Sequence, residues 1–248
     1  MKTPLVSVIM PAKNCARWIS SAVRSVLEQT YRHVELLIGD NGSEDGTPSI
    51  LAGLAADPRM RMFSFGAEVV GAGAIRNALV EQARGAYVMP CDADDLMLPW
   101  NIEDKVEALV VSHGCDAIIY GDIIQIREDR HGKPIDAPDI LGTSNESVWL
   151  VTSNCVNHGG SLISREMFLK VGGYEQGLQT GVEDRVLIIR LDGVGRIRYL
   201  PGRPGYVWRR HPQQATASLH DVHSQETYAR AVTSAMAARR IARDSNSK

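Results

Sequence analysis

Five short apolar runs, separated by stretches of helical spacing, constrain this chain more than any other feature. They are LVSVIM (Leu5–Met10), VELLIG (Val34–Gly39), MRMFSF (Met60–Phe65), AYVMP (Ala86–Pro90) and CDAIIYGD (Cys115–Asp122). Each is short, apolar without alternation and bounded by turn residues, the pattern of a strand buried on both faces. Between the first two, CARWISSAVRSVLEQ sets Trp18, Ile19, Ala22, Val23, Val26 and Leu27 at helical spacing. Further helices are expected after Pro48, within GAGAIRNALVEQARG up to Gly85, and from Pro99 to about Ser112. This alternation implies an α/β fold with a mostly parallel sheet covered by helices on both sides.

The rhythm breaks after Asp122. IIQIREDRHGKPIDAP reads as a hairpin turning at His131, Gly132 and Lys133, and the stretch to Asn154 is irregular. Helices are expected around Arg165–Val171 and Val182–Leu191, a strand near Ile197–Leu200, and a tail helix from Asp221 to about Arg243. The expected organisation is one globule: a nucleotide-binding half (1–122), an acceptor and catalytic-base half (123–218) and a C-terminal helix (219–248). The basic tail residues Arg239, Arg240 and Arg243 read as a solvated face in preference to a lipid-binding one.

Bulk properties exclude several classes. A formal net charge of −2 argues against a nucleic-acid binder driven by counterion release. Cys15, Cys91, Cys115 and Cys155 form no C-x-x-C pair and read as reduced thiols of a cytoplasmic protein. The start carries no small-residue cleavage site, and no run approaches a membrane span. The expectation is a soluble protein with at most peripheral membrane contact; association with further copies of the chain stays open.

In an open parallel sheet, ligands bind beyond the carboxyl ends of the strands. The first strand leads there into Pro11, Ala12, Lys13 and Asn14, the second into Asp40, Asn41, Gly42 and Ser43. The third is followed by Arg76 and Asn77, and the fourth by Asp92, Asp94 and Asp95. Carboxylates packed this closely need a compensating cation, a helix N-terminus or water. Mg²⁺ and Mn²⁺ prefer such oxygens and keep positions open for phosphate, so the metal reading is favoured, with an N-terminal cluster before Pro99 as the alternative for Asp95. Two other patterns fail. GAGAIR (Gly71–Arg76) does not follow the first strand and has Arg76 where a dinucleotide motif needs its third glycine. The D-A-D of a haloacid-dehalogenase phosphatase belongs on the first strand, not the fourth.

VSVIMPAKN, LLIGDNGSEDGT, GAIRNALVEQARGAYVMPCDADDLMLP and GVEDRVLIIRL together resemble the family 2 glycosyltransferases, which have a GT-A fold. The resemblance runs from about Leu5 to Ser218, with Lys13, Asn41 and Cys91 departing from the usual residues. It implies that Asp40 accepts from the N–H of a uracil-like base, in a pocket shaped by Pro11, Ala12, Asn41 and Asn14. Arg76 would reach base or phosphate, and Asp92 the ribose or sugar. Asp94 would carry Mn²⁺ or Mg²⁺, assisted by Asp95. Asp184, beside Glu183, would be the general base, and Arg185 would lower its pKa or bind acceptor. In YVWRRHPQQATAS, His211 would ligate the metal or donate to phosphate while Arg209 or Arg210 neutralises the leaving group. His158 and Gly159 are weaker candidates for the sugar or acceptor site, Gly159 and Gly160 letting a ligand approach the backbone.

Each residue has a structural alternative: a turn at Asp40, a helix N-terminal pair at Glu183–Asp184, a core histidine at His158, a solvated loop at 206–218. The resemblance implies an inverting, metal-dependent transfer from a nucleotide-diphosphate sugar, UDP-linked, to a glycan, lipid-linked, small-molecule or protein acceptor, in surface polysaccharide or glycoconjugate synthesis. Rivals are a sugar nucleotidyltransferase, weakened because PAKNCAR lacks glycine, and a non-catalytic sugar-nucleotide-binding relative, weakened by Asp94, Glu183 and Asp184.

Overall fold

The structure is a computed structural model and describes residues 3–66, 69, 71–112, 114–142, 156–176, 183–214 and 232–237. The expected runs become β1 (Val6–Ala12), β2 (Val34–Asp40), β3 (Met60–Ser64), β4 (Tyr87–Pro90) and β6 (Asp116–Gly121). With β9 (Leu162–Ser164) and β10 (Arg196–Leu200) they form one seven-stranded sheet in the order β10-β6-β9-β4-β1-β2-β3. All neighbours are parallel except β9, which runs antiparallel to both β4 and β6. The expected α/β fold with a mostly parallel sheet is therefore present, with one reversed strand.

Helices cover both faces. On one side α1 (Ile19–Leu27), α2 (Thr47–Leu54) and α4 (Asn101–Ser112) pack Ile19, Val23, Leu51, Ile102 and Leu109 against Val6, Val8 and Met10. On the other, α3 (Ala72–Gln82), α5 (Arg165–Lys170) and α6 (Glu183–Leu191) pack Ile75, Leu79, Phe168 and Leu187 against Ile9 and Val88. Successive β1 residues thus serve opposite cores, which is why the strand reads as apolar without alternation.

A second sheet of four strands, β5-β11-β7-β8, sits beyond the strand ends; it comprises β5 (Leu96–Met97), β7 (Ile123–Arg127), β8 (Asp139–Leu141) and β11 (Tyr206–Arg210). The expected hairpin after Asp122 is β7–β8: Asp129 N donates to Lys133 O, and Gly132 takes φ 74° in the turn. The segment 206–210, with a solvated loop as its alternative reading, is instead a strand, parallel to β7 and antiparallel to β5.

Other boundaries also shift. β1 does not stop before Pro11. Ile9 O accepts from Cys91 N, so Pro11, two residues on, turns its missing N–H past Pro90, the last residue of β4 paired with β1. Residues Cys15 to Trp18 form a turn, and α1 begins only at Ile19. Of the tail helix, 232–237 is described and helical, while Arg239, Arg240 and Arg243 lie outside the described residues, as do 143–154 and Val182. No helix among the described residues is long and apolar enough to cross a membrane. Cys15, Cys91 and Cys115 are free thiols; Cys155 lies outside the described residues.

Candidate active site

The carboxyl ends of β1, β2 and β4 open into a cleft of about 1260 Å³, walled by the start of α6 on one side and by β11 on the other. Its floor is the β1 and β2 loops. Asn14, in a left-handed conformation at φ 49°, donates its N–H to Ser43 Oγ (2.9 Å) and accepts from Glu44 N (2.8 Å). Cys15 N donates to Thr47 Oγ1, and Ala16 N to Asp45 Oδ2. Pro11, Ala12, Asn14 and Asn41 line the cleft.

Asp40 makes the contacts of a turn residue. Its carboxylate accepts from the Ser43 hydroxyl and, at 3.4 Å, from Ser43 N, and it stands outside the cleft lining. Asn41 Oδ1 is the acceptor that lines the cleft, buried and with no partner among the described residues.

Arg76 is not poised toward solvent. It is 5% exposed and bridges two carboxylates, Nη2 to Asp92 Oδ1 at 2.6 Å and Nη1 to Glu183 Oε1 at 2.9 Å. Burial alone would raise Asp92, yet the Arg76 guanidinium holds it below the ordinary carboxylate range. Gly73 belongs to this packing: a Cβ there would lie 3.1 Å from Glu183 and 3.2 Å from Tyr174. The glycines that imitate a dinucleotide motif therefore bring α3 close to α6.

Asp184 follows Glu183 in the first turn of α6 and faces the cleft. Burial and the adjacent Glu183 charge push it up to about 7, against the lowering effect of the N–H of Arg185, which donates to Oδ1 at 2.6 Å. A carboxyl poised near neutrality in a cleft suits general-base work. His158, expected near sugar or acceptor, lies 2.6 Å from Tyr174 Oη and is pushed down to about 3 by burial and by Arg76, so it is a neutral imidazole. Gly159 lines the cleft, but what presses on it is protein: a Cβ would meet the Tyr206 ring at 2.5 Å. The close approach at Gly159 and Gly160 is therefore to Tyr206.

The aspartates after β4 separate into three environments. Asp95 is 2% exposed, and its oxygens accept from Tyr206 Oη and Arg209 N, both at 2.8 Å. Burial, with Asp94 and Asp92 beside it, pushes its carboxyl well up. Tyr206 Oη also accepts from Asp92 N at 3.0 Å, so one phenol holds both ends of the loop. Asp94 meets His211, whose Nε2 lies 3.1 Å from Oδ2. Arg209 turns to Glu128, Ser21 and the Asp94 carbonyl, whereas exposed Arg210 lines the cleft beside Trp208.

One carboxylate and one imidazole fit a Mn²⁺ or Mg²⁺ ion that takes its remaining ligands from phosphate oxygens and water. No group of three or more metal-ligating side chains occurs among the described residues, so a ligand would have to complete the shell. Sequence reading missed Tyr206, Tyr174, Trp18 and Glu128. The signal was the residue type: a buried Tyr or Trp needs a partner for its polar end.

Comparison with known proteins agrees with this geometry. The family described as glycosyl transferase family 2 matches residues 7–172, more than half of the chain. The chain is 39% identical to the chondroitin synthase of Escherichia coli over 103 residues, 41% of this chain and 15% of that protein. It is 34% identical over 143 residues to a Bacillus subtilis glycosyltransferase named for teichuronic acid biosynthesis, TuaG, covering 56% and 55%. The chain thus spans little more than half, and often much less, of the curated relatives it matches. Among solved structures, Staphylococcus aureus TarS 1–349 in complex with UDP-GlcNAc superposes with TM-score 0.70 at 17% identity, over 91% of this chain and 66% of that one. The mannosyltransferase PcManGT of Pyrobaculum calidifontis, in complex with GDP-Man and Mn²⁺, gives 0.61 at 17% identity over 96% and 74%. At these identities the superpositions establish the fold, and the family match supplies the rest: the chain belongs to glycosyl transferase family 2.

Proposed function

We propose that the protein transfers a sugar, with inversion, from a nucleotide-diphosphate sugar to an acceptor nucleophile. The observation that carries this is one cleft lined both by Asp94, whose carboxylate meets His211, and by Asp184, raised to about 7. Inversion needs a base on the face of the sugar opposite the departing diphosphate. In this reading the β1 and β2 loops receive the base, with Asn41 Oδ1 in the accepting role expected of Asp40. Asp92, held by Arg76, turns toward ribose or sugar, and exposed Arg210 meets diphosphate oxygens. Asp94 and His211 would hold Mn²⁺ or Mg²⁺, which when bound offsets the charge developing on the leaving diphosphate. Asp95 is a support for this loop.

A UDP-linked donor is the reading supported by the TarS complex, while the GDP-Man complex of PcManGT makes guanine the alternative base. The relatives named for chondroitin and teichuronic acid support an acceptor that is a growing surface polysaccharide or glycoconjugate. The test is calorimetric titration of UDP, GDP and CDP with and without Mn²⁺. Metal-dependent binding of one diphosphate supports the reading; no binding under either condition removes it.

A further inference from the structure

We propose that Trp18 is the positioning residue for the His211 imidazole, and that Glu128 locks Trp18 in that role. The inference rests on the reading of His211 as an ion ligand. An imidazole used this way normally has its second nitrogen tied by a hydrogen bond, which fixes the ring plane. Here Nδ1 is buried and finds no partner among the described residues, so hydrogen bonding does not set the plane from that side. Stacking does. The His211 ring lies 4.0 Å from the Trp18 ring at an interplanar angle of 24°, both side chains being 7% exposed.

Trp18 is in turn held from the opposite sheet. Its Nε1 donates to Glu128 Oε2 at 3.2 Å, while Glu128 Oε1 lies 3.5 Å from Arg209 Nε. Glu128 N donates to Arg210 O, the carbonyl immediately before His211, at 2.8 Å. One residue thus grips both the indole and the strand that delivers the imidazole. Tilting the imidazole out of its plane parts the stack, and the indole, tied to Glu128, is held from following it.

The experiment is a Mn²⁺ titration in the presence of UDP, read by the electron paramagnetic resonance of free Mn²⁺, on wild type, Trp18→Leu, Trp18→Phe, Glu128→Gln, His211→Ala and the Trp18→Leu/His211→Ala double variant. The expected result is about tenfold weaker Mn²⁺ binding for Trp18→Leu, and smaller losses for Glu128→Gln and for Trp18→Phe, which keeps a ring to stack but has no N–H for Glu128 to hold. In the His211→Ala background Trp18→Leu should add nothing, since the residue it positions is gone. Equal losses in both backgrounds, or wild-type binding by Trp18→Leu, would overturn the positioning role alone. If His211→Ala binds Mn²⁺ like wild type, the ligand reading falls and this inference with it. Trp18→Phe and Glu128→Gln keep the test readable should Trp18→Leu fold poorly.

Discussion

Arg76 donates to Glu183 Oε1 at 2.9 Å, while Asp184, the next residue along α6, takes the backbone N–H of Arg185 at 2.6 Å. Two adjacent carboxylates thereby receive different partners. Glu183 is paired with a buried guanidinium, while Asp184, desolvated and beside the Glu183 charge, takes a backbone N–H. In the proposed mechanism, the division of labour between base and support follows from that pairing.

The pH profile should report it. Transfer requires ionised Asp184, so kcat/KM should rise with pH through about 7. In Glu183→Gln the neighbouring charge disappears and Arg76 is released, both of which favour the ionised form, so the rising limb should move to lower pH. Initial-rate profiles from pH 5 to 9 check this. An unmoved limb would mean that another group sets it.

Asp184→Asn should lose about 1,000-fold in turnover while binding donor as wild type does. It should also be more stable than wild type in alkaline buffer. A carboxyl raised from 3.8 to about 7 binds its proton more tightly folded than unfolded, so its contribution falls as pH rises through that window. The gain above pH 7 is roughly 2–4 kcal/mol as an upper bound. Thermal melts of both proteins at pH 5 and pH 8 give the sign: the difference should favour the variant more at the higher pH than at the lower one.

Asp94→Asn should abolish the enhancement of UDP binding by Mn²⁺ and reduce turnover by orders of magnitude without unfolding the chain, since Asp94 is partly exposed at the cleft. Calorimetry with and without Mn²⁺ reads the first effect directly. A variant that still binds UDP more tightly with Mn²⁺ would move the ion elsewhere.

Tyr206→Phe removes one hydroxyl that accepts from Asp92 N and donates to Asp95 Oδ2. Leaving a buried carboxylate short of a donor costs about 1–3 kcal/mol. Gly159→Ala should destabilise by a comparable amount, because its Cβ would sit 2.5 Å from the Tyr206 ring. Denaturant titrations of the two variants measure both; an unaffected Gly159→Ala would show that the ring has room to shift.

The residues legible in the sequence were those whose type and strand-end position both carry meaning. Five parallel strands, their helices and the carboxylates after β4 and at the start of α6 could be read because apolar runs and turn chemistry are local signals. Where long-range pairing decides, the reading was incomplete. β9 is only three residues long and owes its strand state to β4 and β6. β11 looked like a loop because WRR is polar, yet it is paired on both edges by β5 and β7. In the site, Asp40 and Asn41 are adjacent and both polar, and only the structure shows that Ser43 bonds the first of them. Glu128 was invisible for the same reason: its importance lies in partners 110 residues away in the chain.

The reversed strand in the main sheet also orders events in time. Among the described residues β4 and β6 are not neighbours; β9, made of residues 162–164, lies between them and pairs with both. While the chain is being synthesised, β1 to β4 can assemble as they emerge, but β6 has no place beside them until β9 arrives. The cleft wall built by β7 and β11 comes later still, when residue 210 is out. The loops after β1, β2 and β4 can therefore form early, whereas the cleft they line is walled only after residue 210 has been made.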